Sequence, residues 1–132
     1  SVLIEETEKN IDITEDATFY ETYSKAASVI IEYRAAVIHV YNSRNRDIIE
    51  KYLHNTTEYL VGLFVKKYSK DHKLTEDDRE YITCFYSYSI VGIVSRWIGE
   101  GMPPYDKDLI KRFSESFDAT IDTMINLCEA NN

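Results

Sequence analysis

The sequence predicts an all-α domain, a helical bundle whose C-terminal antiparallel helix hairpin forms a four-helix dimer interface. Three observations carry this reading. Apolar residues recur at steps of three and four through most of the chain. Residues 81–98 hold a single charge, Arg96, and are apolar or aromatic at every angle of a helix. Two glycines and a Pro-Pro pair then separate that run from a last amphipathic stretch. A helix that is apolar all round has to be covered all round, and a chain of 132 residues has few other helices to do it. The run is therefore read as a helix wedged between its own core and a second copy. The competing reading is a central helix of a monomeric bundle, with Ser87, Ser89 and Ser95 facing water.

In order along the chain, Val2, Leu3 and Ile4 precede Glu5, Glu6 and Glu8 in an acidic, solvent-facing opening, and residues 11–13 form a short connector. Thr14, Glu15 and Asp16 give a helix-start signature. From there Phe19, Tyr23, Ala26, Ala27, Ile30 and Ile31 mark one helical face, with a break expected near Tyr33-Arg34. Val37, Ile38, Val40 and Tyr41 make a dense apolar patch around His39. Their β-branched character is the one strand signal in the chain, and a strand there would lack a partner. Residues 42–45 are a turn by composition.

The next helix places Ile48, Ile49, Tyr52, Leu53, Thr56, Leu60, Leu63, Phe64 and Tyr68 on one side. Gly62 within it costs roughly 1 kcal/mol against Ala, which implies a close helix crossing or room for something bound. A polar loop over 69–74 leads to Thr75-Glu76-Asp77-Asp78, a capped helix start with carboxylates in the first turn. After the central run, Gly99 and Gly101 are suited to the left-handed turn that closes a helix, and Pro103-Pro104 ends it. Asp106 is placed to cap a final helix whose apolar positions Leu109, Phe113, Phe117, Ile121, Met124, Ile125 and Cys128 step by three or four.

The residues Tyr88-Ser89-Ile90-Val91-Gly92, then Arg96-Trp97-Ile98 and Gly101-Met102-Pro103, followed by an acidic start to the last helix, resemble the C-terminal domain of TetR-family transcriptional regulators, in the form common among Firmicutes. The resemblance runs from about residue 19 to 128, with Gly92, Trp97 and the Gly101-Met102 corner as its distinctive points. It implies a homodimer formed by the last two helices and, in ligand-responsive members, an effector cavity between the earlier ones. Residues 1–132 would then be that domain, with 1–13 a remnant of the helix leading to a helix-turn-helix that this chain lacks. The resemblance makes Trp97 a fixed packing residue first and a pocket wall second.

Charge and motifs narrow the function further. A net charge of −8 opposes direct contact with duplex DNA, which needs clustered Lys and Arg; DNA would be reached only through the missing N-terminal module. Cys84 and Cys128 fall on helix patterns and are read as buried thiols of an intracellular protein. With no leader sequence to address it for export, the expected location is cytoplasmic. Residues 81–98 approach the length of a membrane span, but their Tyr, Ser, Thr and Arg96 argue against one. Asn55-Thr56-Thr57 matches a glycosylation pattern without a secretory signal beside it.

His39, His54 and His72 lack metal-ligand spacing, and His39 is expected beside the core or facing a cavity. Cys84 has no basic neighbour to activate it, the acidic cluster from Glu76 to Glu80 reads as helix capping, and no Gly-rich phosphate loop is present. No catalytic site, metal or cofactor is expected.

Eleven tyrosines stand out. On an inward face each either satisfies its hydroxyl within the core or offers it to a ligand, and for Tyr41, Tyr52, Tyr59, Tyr86 and Tyr88 both readings stand. The candidate effector residues are Tyr41, Tyr52, Tyr59, Phe64, Tyr86 and Trp97, around a small apolar or aromatic molecule. The candidate dimer residues are Ile90, Ile93, Val94, Phe113, Phe117, Ile121 and Met124. The expected function is the dimerising, effector-binding half of a TetR-like regulator; the alternatives are a coactivator without a DNA reader, or a helical interaction module.

Overall fold

The computed structural model describes residues 16–104 and 106–132, the side chains of 106–108 excepted. Among them five helices follow one another: α1 Phe19–Glu32, α2 Arg34–Tyr41, α3 Arg46–Tyr68, α4 Glu76–Gly99 and α5 Asp106–Ala130. The described residues contain no strand, so the fold is all-α. The readings of residues 1–13, of Thr14 and Glu15, and of Asp106 as a cap lie outside the described residues.

α1 opens on Thr18. Its Oγ1 accepts from the Glu21 backbone N–H at 3.1 Å and donates to the Glu21 carboxylate at 3.0 Å, which satisfies one of the amides a helix start leaves open. Phe19, Tyr23, Ala26 and Ile30 turn inward. Ile31, expected on the same face, is exposed, because one residue past Ile30 is a turn of about 100°. The break near Tyr33-Arg34 is a single-residue joint: Tyr33 closes α1 by donating to Val29 O and starts α2 by accepting from Val37 N–H. The β-branched patch is therefore helical. Only Val37 of α2 is buried, and His39 is exposed instead of facing the core or a cavity.

α3 lies along α4 in the most extensive helix pairing of the fold. At their crossing a Cβ built on Gly62 would sit 3.7 Å from Thr83 Cγ2, so the glycine marks a close approach with room for one more methyl. Ile48, assigned to the inner side of α3, is exposed. α4 begins with a reciprocal capping box, in which Thr75 Oγ1 accepts from Asp78 N–H and Asp78 Oδ2 accepts from Thr75 N–H, both at 3.0 Å.

The end of α4 departs from expectation in one detail. Gly99 stays helical and packs against the Tyr41 ring, while the left-handed positions are Gly101 (φ 87°) and Met102 (φ 55°). Met102 N–H donates to Trp97 O and Gly101 N–H to Ile98 O, both at 3.0 Å, the paired bonds of a Schellman closure. Two further bonds hold the corner: Trp97 Nε1 donates to Pro103 O at 2.9 Å, and Arg34 Nη2 donates to Gly101 O at 2.6 Å.

α5 then returns antiparallel to α4. Tyr86 meets Phe117 and Thr120 halfway along. At the far end Glu129 accepts from Lys73 N–H at 2.7 Å and faces His72 Nδ1 at 3.0 Å, while Asn132 Nδ2 donates to Lys73 O and Asp78 Oδ2. The helices converge on Phe117, whose ring lies 4.6 Å from Phe19 of α1, 6.5 Å from Phe64 and 6.0 Å from Tyr68 of α3, and 4.9 Å from Tyr86 of α4. Aromatic pairs of this kind contribute about 0.5–1.5 kcal/mol each beyond the area they bury.

Two outcomes follow for urea unfolding. Phe117→Ala lowers stability by about 3–5 kcal/mol, the range for emptying a buried aromatic site. Gly62→Ala raises it by up to about 1 kcal/mol, because the added methyl meets only an ordinary contact and the helix loses a flexible residue.

Candidate functional site

Two features stand apart from the packed core. The first is a cavity bounded by α1, α3, the last turns of α4 and the first turns of α5. It encloses about 40 Å³, or about 530 Å³ when the space out to solvent is counted. Its walls are Ala26, Ile30, Leu53, Val94, Trp97 and Phe113, with Tyr23, Tyr52, Thr56 and Thr57 as the polar residues. Ile31, Ala27 and Leu109, which are exposed or half-buried, lie at its rim. α1 supplies one wall because Ala26, Ala27 and Ile30 are small or branched and leave space beyond Tyr23, whereas Phe19, about two turns before Ala26, fills the core.

The second feature is the outer face of α4. Tyr81, Phe85 and Tyr88 step along it at helical spacing, Gly92 continues the line, and Ile93 stands beside it. Phe85 is 49% and Tyr88 63% exposed. Leu127 is exposed on α5. α4 thus has two apolar sides, one spent on the core through Ile82, Tyr86, Ile90, Val94 and Trp97, the other left uncovered by the described residues.

The structure distributes the candidate effector residues widely. Tyr52 and Trp97 line the cavity. Phe64 is 1% exposed within the aromatic cluster. Tyr86 is buried with its hydroxyl 2.6 Å from Thr120 Oγ1. Tyr41 lies half-buried between Gly99 and the Arg46 guanidinium, which sits 4.4 Å from its ring centre. Tyr59 is exposed beside the outer α3–α4 groove, and Tyr88 sits against the His54 ring at 5.0 Å. The cavity's hydroxyl pair, Tyr23 and Thr57, escaped the sequence reading. Tyr23 was assigned to the core face, and the visible signal was Thr56-Thr57 inside an otherwise apolar stripe.

The candidate dimer residues divide as well. Ile90, Val94, Phe113, Phe117 and Ile121 are buried by their own chain, Met124 is half-buried, and Ile93 is exposed. A side chain already covered has little surface to give a partner, so the uncovered apolar area lies one strip further round α4. Of the serines, Ser89 is exposed and Ser95 half-buried, while Ser87 is buried without a hydrogen-bond partner.

Cys84 and Cys128 are free and half-buried, where full burial was expected. Burial, with Glu58 and Glu80 beside Cys84 and Asp78 beside Cys128, pushes both thiols up and keeps them protonated. Among the described residues no three His, Cys, Asp or Glu gather into a possible metal site, and no helix is long and apolar enough to cross a membrane.

Residues 17–119 match the family model described as the C-terminal region of transcriptional regulators. No curated protein and no solved structure matches the chain.

Among the described residues, Tyr23 is the group that burial alters most. Its phenol is pushed up to about 12, chiefly by loss of solvent, against a hydrogen bond from Thr57 that acts the other way. A folded-state value above the unfolded one means that the unfolded chain gives up this proton first. The neutral phenol's contribution is therefore complete below pH 10 and fades as pH rises towards 12. Across that window stability falls by on the order of 2–3 kcal/mol. Tyr23→Phe removes that part of the slope, as read from urea midpoints at successive pH values.

Proposed function

Because the chain belongs to the TetR family, as the C-terminal region of its transcriptional regulators, we propose that it dimerises through the outer faces of α4 and α5 and binds a small apolar or aromatic effector in the cavity beneath α1. The family points to a regulatory, non-enzymatic role. The observation that supports the dimer is the uncovered stripe of Tyr81, Phe85 and Tyr88 with Ile93 beside it. Contiguous exposed apolar surface marks an interaction site, and a second copy of the same face can cover it about a two-fold axis.

The same helix gives a route from cavity to interface. Val94 and Trp97 wall the cavity, while Gly92 and Ile93 stand on the exposed side of the same turns. An occupant that shifts α4 by a fraction of a turn alters how two copies meet. It acts as a switch to the extent that it binds one dimer arrangement more tightly than the other. A DNA-reading module attached to each copy would then be re-spaced; the acidic domain itself does not carry that contact.

Phe85→Glu with Ile93→Glu yields a helical monomer in sedimentation equilibrium, because both positions are exposed in the single chain. Phe117→Glu instead abolishes the helical circular dichroism signal, because that ring is at the centre of the core. An unchanged dimer in the exposed-face double variant places the interface elsewhere.

A further inference from the structure

We propose that the cavity selects a neutral, single-ring molecule carrying one hydroxyl or carbonyl group, which shares hydrogen bonds with the Tyr23–Thr57 pair. This deepens the reading of the cavity as an effector site and rests on it. Three properties of the walls lead there.

The first is charge. Among the described residues, those lining the cavity include no Asp, Glu, Lys, Arg or His. An ion entering it would lose its hydration with no counter-charge in return, a cost of many kcal/mol in an apolar setting. Carboxylates, phosphates and ammonium groups are thereby disfavoured.

The second is the placing of polarity. Tyr23 is 7% and Thr57 2% exposed, and both line the same cavity. A hydroxyl both donates and accepts, so the two can turn to offer a proton or a lone pair to an incoming oxygen. Trp97 and Phe113 line the same cavity, Phe113 packed edge-on against the Tyr23 ring at 6.2 Å, and supply aromatic surface suited to a flat ring. The wall thus offers ring surface with hydroxyls at Tyr23 and Thr57, and with Tyr52 and Thr56 as its other polar residues.

The third is size. The enclosed 40 Å³ exceeds the roughly 10–15 Å³ that a water needs and falls short of the roughly 150 Å³ of an engineered cavity that takes benzene. A single ring exceeds the enclosed volume and would extend into the open mouth of the cavity beside Ile31 and Leu109; a drug-sized ligand, which needs at least about 300 Å³, exceeds it several-fold.

The test is calorimetric titration of the whole chain with toluene, p-cresol and 4-methylbenzoate, which share the same ring and methyl group. The expected order is p-cresol roughly 2- to 10-fold tighter than toluene, the range of one net hydrogen bond, with no binding of 4-methylbenzoate. Tyr23→Phe brings p-cresol to the toluene level, and retained toluene binding in that variant shows that the pocket is intact. The proposal is overturned if 4-methylbenzoate binds as tightly as p-cresol, if none of the three binds, or if Tyr23→Phe keeps the p-cresol preference. Sedimentation of the same samples separates the two readings. A dimer that binds no probe removes the ligand class and leaves the dimer, whereas a monomer that binds p-cresol does the reverse.

Discussion

The convergence of aromatic rings on Phe117 is the constraint from which the other positions follow. Phe19, Phe64, Tyr68 and Tyr86 reach it from three other helices, so α5 has one rotational setting that fills the centre. With that setting fixed, Phe113 falls one turn earlier against the cavity and Ile121 and Ile125 one and two turns later against the core. α4 is fixed by the same cluster through Tyr86, whose hydroxyl finds Thr120 across the hairpin. Once Tyr86, Ile90 and Val94 point inward, Phe85, Tyr88 and Ile93 have to point out.

Much of this was legible in the sequence. The helices α1, α3, α4 and α5, the joint at Tyr33, the Thr75 capping box and the corner after Ile98 are announced by local chemistry: periodicity, a threonine with a carboxylate three residues on, a glycine before prolines; α2 is not, because its β-branched residues carry a strand signal instead. What periodicity does not carry is phase. On α5, where polar residues occupy one side, the apolar positions are plain in the sequence, and Phe113, Phe117 and Ile121 among them turn inward. Yet the same residues were also assigned to a partner, because sequence does not tell which of two apolar neighbours covers a side chain. On α4 no polar side exists to orient the helix, and Ile90 and Val94 were placed outward together with Ile93. Tyrosine carried the same ambiguity in another form. Its hydroxyl is satisfied by Thr120 at Tyr86, and of the candidate effector tyrosines Tyr52 alone lines the cavity, while Tyr41 and Tyr59 lie elsewhere.

α4 combines two demands that most helices meet singly. Its inner side closes a core and a cavity, and its outer side exposes rings that water solvates poorly. In the proposed function this proximity would matter, since a perturbation at Trp97 has only the thickness of one helix to cross before it reaches Ile93. The cavity's small volume fits that arrangement, because a nearly filled space transmits displacement where a roomy one would absorb it.

The closure at Gly101 and Met102 has a further consequence. A non-glycine residue in the left-handed region costs roughly 1–2 kcal/mol, and burying a methionine side chain returns roughly 1.5–3 kcal/mol, so the corner is held by an anchored side chain instead of a freely pivoting link. Its length is therefore a phase setting. One residue inserted between Met102 and α5 would rotate the last helix by about 100° and carry Phe117 from the centre of the molecule to its rim. Surface loops ordinarily absorb insertions and deletions, but this one should behave as a segment of fixed length, and length changes in natural variants should collect in the 69–74 loop before they appear here.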